Sequence, residues 1–221
     1  MRRGRRPGAP PPPTRPATPP RPPADAAGRV LVVACGALAR EIGAVTRAGA
    51  WSHLDLHCLP AMLHNHPDRI APALADALDA RMEAYGRTFV AYADCGTGGA
   101  LRKVCEARGV PMIAGPHCYA FFEGEAEFAA HGETDAFYLT DFLARQFDAF
   151  VIEPLGLDRH PELRDAYFGN YRALVYLAQT DDAALTARAR AAADRLGLTF
   201  ERRFTGLESF AHALGPVAAR A

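Results

Sequence analysis

Short unbroken apolar runs, each closed by a turn and most followed by a helix-forming stretch, recur from residue 29 to the end of the chain. The first is 30–34, five apolar residues in succession ended by Cys35-Gly36. A run without polar alternation suits a strand covered on both faces, as in the interior of a parallel sheet. Strands are also expected over 54–59, 88–93, 110–114, 137–139, 149–152, 174–177 and 198–204. Helices are expected over 37–48, 68–85, 99–107, 119–130, 141–147 and 182–196, where apolar residues fall at helical spacing or alanine dominates. The expected fold is α/β: a Rossmann-like, parallel-rich sheet with helices on both faces. Residues 29–221 read as a single domain, or as two small lobes over 29–135 and 136–221.

The first 24 residues differ in kind. They hold ten of the 18 prolines and six arginines, and no acid. Proline lacks the backbone donor and fixes φ, so this run forms neither helix nor central strand. A disordered Pro/Arg-rich tail over 1–28 is expected, either a dispensable extension or a polyproline ligand or anion-binding arm. The formal net charge of zero hides this division: without the tail's six positive charges, the body carries about −6 by the same counting. That balance argues against nucleic-acid binding. No stretch of about 18 apolar residues occurs, which argues against a membrane span. The odd count of five cysteines and the lack of an apolar segment behind the first arginines point to a reduced, cytoplasmic protein.

The cysteines carry the functional signal. Cys35, Cys58, Cys95 and Cys118 each fall at or just after the end of an expected strand. In an open parallel sheet those ends share one edge, where ligands bind. Cys105 falls inside an expected helix and reads as a buried structural thiol. His57, His64, His66 and His117 lie beside these loops, and a Cys/His set suits zinc, or iron with sulfur. No CxxC pair is present, so a metal site depends on the fold bringing separate loops together. The turn Asp94-Cys95-Gly96-Thr97-Gly98-Gly99 joins a strand to a helix. Gly96, Thr97, Gly98 and Gly99 are candidates for cofactor binding, because backbone N–H groups there would face a bound group. The same turn also reads as a tight turn that needs glycine. A charged stretch over 154–165 reads as surface structure or as a lid, and Arg159 and Arg172 are its candidates for binding a carboxylate.

The segments Ala34-Cys35-Gly36-Ala37-Leu38, Leu63-His64-Asn65, Asp94-Cys95-Gly96-Thr97-Gly98-Gly99, His117-Cys118 and Tyr138-Leu139-Thr140 together resemble the domain-of-unknown-function family 1638. The resemblance runs from about Arg29 to about Gly206. Members are often encoded near corrinoid-dependent methyltransferases, so it implies a link to one-carbon or methyl-group metabolism, a small-molecule substrate and a methyltransferase or corrinoid protein as partner. It favours Cys35, Cys95 and Cys118 as metal ligands, with His117, or else His64, as the fourth, and Cys95, His64 and His117 as the reactive set. Zinc is the expected cofactor and an iron–sulfur cluster the alternative. Two other readings stay open. One is a non-catalytic accessory or cofactor-chaperone protein. The other is a metal-free thiol enzyme with Cys95 as nucleophile and His117 as base.

Overall fold

A computed structural model of the chain describes residues 25–113 and 115–219. The expected tail falls outside them, apart from a single 3-10 turn at Ala26–Gly28.

Two three-stranded parallel sheets form the framework. In chain order the first half contains β1 (Val30–Cys35), α1 (Ala39–Ala48), β2 (Leu54–Leu59), α2 (Ile70–Asp79), β3 (Arg87–Ala91), α3 (Ala100–Glu106), α4 (Tyr119–Glu123) and α5 (Glu125–His131). The second half contains β4 (Ala136–Thr140), α6 (Asp141–Arg145), α7 (Arg164–Phe168), β5 (Ala173–Ala178), α8 (Ala183–Leu196), β6 (Thr199–Phe204) and α9 (Glu208–Ala218). The first sheet has the order β2-β1-β3 and the second β4-β5-β6, with every pairing parallel. The expected α/β class, with parallel strands and flanking helices, is what the chain forms.

The central strand of each sheet is the apolar run that announced it. All six residues of β1 are buried, as are five of the six of β5. Such strands are covered on both faces, so every side chain gains from leaving water, at about 25 cal/mol per Å² of apolar surface. The helices supply the cover. On α1, Ile42 and Val45 are buried, and on α2 Ile70, Leu74 and Leu78. Spacings of three and four residues are those of a helix with one face on a sheet.

Four expectations need correction. The helix expected over 68–85 is a helix only over Ile70–Asp79, flanked by 3-10 turns at Pro67–Arg69 and Met82–Ala84. Residues 149–152 are not a strand but part of a π-helical turn, Asp148–Ile152. Val151 and Ile152 are buried there, so the apolar run reflects burial, which a short helical turn satisfies as well as a strand does. The expected strand over 110–114 is reduced to one bridge, Val90 to Met112, on the outer edge of β3. The helix expected over 119–130 is two helices, because Gly124 at φ +94° breaks it.

The two sheets are tied together in several places. Helix α9 follows the last strand of the second sheet yet packs in the first core. There its Phe210 ring meets Phe121 and Phe122 of α4 at 6.4 and 5.5 Å. Tyr119, the first residue of α4, stacks on Tyr138 of β4 at 5.3 Å. Arg145 of α6 pairs with Glu41 of α1 at 3.3 Å, although 104 residues separate them.

Candidate functional site

The C-terminal ends of the first sheet's strands face the start of α6, and a small cavity of about 30 Å³, open at its mouth, lies between them. Cys35, His64, Cys95 and Cys118 all line it. The opposite wall is Thr140, Phe142, Leu143 and Phe150, with Tyr92 and Tyr119 between.

Local features explain the convergence. Cys35 is the last residue of β1 and is buried. Gly36 follows it, and a side chain there would place its Cβ 2.8 Å from the Leu59 carbonyl oxygen and 3.1 Å from the Ala61 nitrogen. Glycine therefore lets the chain beyond β2 pass close against Cys35. That passage delivers the 3-10 turn Ala61–Asn65, which carries His64. Cys95 follows β3, and its backbone N–H donates to the Pro116 carbonyl at 3.0 Å, while that of Asp94 donates to Gly115 at 3.3 Å. These bonds zip the two loops together and bring Cys118 beside Cys95. Cys95 itself sits at φ +46°, a left-handed conformation that a non-glycine residue adopts at a cost of roughly 1–2 kcal/mol. Strain of this kind gathers at functional sites.

The proximity of the thiols sets their electrostatics. Burial, and then a charge on Cys35, push the Cys95 thiol up to about 12. Cys118 is raised well above the usual thiol range by burial and then by Cys95 and Cys35. Burial also raises Cys35. All three are therefore neutral thiols near neutral pH. His64 is lowered, by burial first and by His117 second, so its ring is held neutral. No three His, Cys, Asp or Glu side chains among the described residues stand in a ready-made metal arrangement.

Other expected residues fall elsewhere. His117 is exposed and does not line the cavity, although its ring lies 6.1 Å from that of Tyr119. In the Gly96–Gly99 turn, Asp94 takes up the donors: its carboxylate accepts from the Gly99 and Gly98 N–H groups at 2.8 and 3.1 Å and from the Thr97 hydroxyl at 2.7 Å. These bonds, Thr97 first, hold the Asp94 carboxyl below the usual range. The turn is thus closed by its own aspartate. Cys58 is half-buried in β2, with burial pushing it up to about 11, and does not line the cavity. His57 lies on the same strand. Cys105 is buried in α3, as expected of a structural thiol. Arg159 and Arg172 are exposed, beside Asp158 and Asp135, and away from the cavity.

Two features of the site went unread in the sequence. Tyr92 is wholly buried at the cavity wall, where its side chain is hydrogen-bonded with that of Cys35. Nothing but its place one residue past β3 could have marked it. The second feature is the far wall from α6. Thr140 caps that helix by accepting from the Leu143 N–H at 3.4 Å, and Asp141 behind it is fully buried. The pattern Thr140-Asp141 just after a strand is a helix-start signal that was available.

Comparison with family models gives a match to a protein family of unknown function over residues 58–214. The chain belongs to the DUF1638 family. The match covers more than two thirds of the chain and takes in His64, Cys95 and Cys118, whereas Cys35 precedes it. Comparison with curated proteins and with solved structures gives no match.

Proposed function

We propose that this DUF1638 chain holds a soft metal ion, zinc or the iron of an iron–sulfur cluster, on Cys35, Cys95 and Cys118, with His64 as the further donor. The observation that carries the proposal is the convergence of three thiols and one neutral imidazole, from four separate segments, on one cavity. The donor set suits the group: thiolate and imidazole are ligands for zinc and for iron with sulfur. The three thiols are neutral because their ionisation in a buried, shared space is costly. A divalent cation is what would make two or three thiolates stable there. Of the two histidines expected as fourth ligand, His64 is preferred, since it lines the cavity and His117 lies outside it.

When bound, such an ion would supply Lewis-acid activation of a thiol or water. The chain's own residues would do the rest. The apolar wall of Phe142, Leu143 and Phe150 would exclude water, and His64 would hold or release a proton beside the thiols. We extend this reading to small-molecule, methyl-group chemistry in the company of a corrinoid methyltransferase partner, which rests on the family resemblance alone. A metal-free Cys95 nucleophile is less well supported. Its thiol is pushed up to about 12, and the base expected for it, His117, lies outside the cavity.

Metal and sulfide content, measured per chain on protein purified without oxygen or added metal, tests the proposal. The expected result is about one zinc, or iron with sulfide, in the wild type and a large loss in Cys95→Ser. A wild type without zinc or iron would overturn it.

A further inference from the structure

A larger groove lies away from the thiols, beside β3, where α4, α5 and α9 meet. It holds about 740 Å³. Phe89, Met112, Ile113 and Phe121 line it, together with the carboxylates Glu125 and Glu208. No Lys or Arg lines it among the described residues. Both glutamates are exposed, and neither is ion-paired or side-chain hydrogen-bonded among the described residues. Glu123 and Glu133 differ, since Arg203 holds both. Apolar side chains beside two free carboxylates suit a segment rich in proline and arginine: proline rings pack on apolar surface, and a guanidinium meets a carboxylate. Residues 1–24 are such a segment, with ten prolines, six arginines and no acid, on a body of about −6 by formal counting. Their attachment point is close enough. Asp25 and Ala219 line one surface depression, and Ala219 follows α9, whose first residue is Glu208. A helix of that length spans about 16 Å. Twenty-four residues in polyproline form would reach about 70 Å. Tethering also gives the segment an effective concentration on the order of millimolar, so a weak contact suffices.

We propose that this groove docks residues 1–24 of the same chain, with prolines against Phe89, Met112, Ile113 and Phe121 and arginines on Glu125 and Glu208. The docking is independent of any metal at the thiols.

The test follows backbone amides at 112–113, 120–125 and 208–213 by NMR, in reduced full-length chain at low salt. Wild type is compared with a six-serine variant carrying R2S, R3S, R5S, R6S, R15S and R21S. The groove amides should differ between the two, while those at 35–38 and 173–178 should coincide. A synthetic peptide of residues 1–24, titrated into the six-serine variant, should return the groove amides toward their wild-type positions and saturate. Adding Glu125→Gln and Glu208→Gln to that variant should weaken the peptide about fivefold, the worth of two exposed ion pairs. Groove amides that coincide in wild type and the six-serine variant would overturn the proposal and leave the face to another partner. So would a peptide that moves other amides instead, or one whose affinity the two glutamine substitutions leave unchanged. Wild-type shifts that grow with protein concentration would place the segment in a second copy's groove and overturn docking within one chain. The tail substitutions leave residues 25–221 untouched, so the first comparison decides even if the glutamine variant does not fold.

Discussion

Replacing Asp141 with alanine should cost about 4 kcal/mol of stability. The side chain is 0% exposed and accepts from the Tyr176 hydroxyl at 2.7 Å, the Gln179 backbone N–H at 3.1 Å and the Thr180 hydroxyl at 2.5 Å. Thr180 is exposed and can turn to water, but Tyr176 and Gln179 are buried. Each buried donor left without an acceptor costs about 1–3 kcal/mol, so two at about 2 kcal/mol each give the figure. Tyr176→Phe alone, which removes a donor and leaves the carboxylate its other partners, should cost about 1 kcal/mol. The double variant strands only the Gln179 N–H and should cost about 2 kcal/mol, less than Asp141→Ala by itself. Urea unfolding followed by far-UV circular dichroism measures all three. A cost below about 1 kcal/mol for Asp141→Ala, or a double variant at the sum of the singles, would refute the reasoning.

Three further outcomes are expected. Burial raises the Glu41 carboxyl above its unfolded value, so the folded state binds the proton more tightly. Stability should therefore fall as pH rises from the unfolded value through the folded one, and Glu41→Gln should flatten that part of a urea-midpoint profile between pH 4 and neutrality (about one proton's worth). In metal-free protein at pH 8, Cys95 at about 12 should hold roughly a thousandfold less thiolate than an ordinary thiol, so iodoacetamide should label it slowly, with no plateau below pH 11; mass spectrometry of the labelled peptide reads this. Gly36→Ala sets a Cβ against fixed backbone at Leu59 and Ala61, and should cost about 1–3 kcal/mol in thermal or urea unfolding and shift the His64 imidazole resonances.

Where burial and backbone preference spoke together, the sequence was readable. Val30–Cys35 and Ala173–Ala178 were plain because a strand covered on both faces leaves no polar position, and Ala183–Leu196 because Asp182 caps it and Gly197 ends it at φ +70°. Residues 148–152 misled because a buried apolar run carries no mark of its own period. Helix α9 was overlooked: its Pro216 and its place after the last strand hid a segment whose Phe210, Leu214 and Val217 complete a distant core. In the site, the cysteines were legible from their position at strand ends. Their convergence was less so, since it depends on the Cys95–Pro116 backbone bond and the glycine contact at Gly36, which are tertiary facts. Tyr92 looked like any core aromatic, because what sets it apart is its bond to the Cys35 side chain, a tertiary fact rather than a pattern.

The return of α9 to the first core has a consequence for how the chain is made. Phe121 and Phe122 emerge from the ribosome nearly a hundred residues before the helix that covers them, and the end of that helix also supplies the Ala218 carbonyl that meets the His53 ring at 2.9 Å. The first three-stranded sheet therefore waits, with an aromatic face uncovered, until translation is nearly finished. A nascent chain stalled before residue 208 would present that face to chaperones, and a premature stop there would leave the cysteine cavity standing on an unsealed foundation.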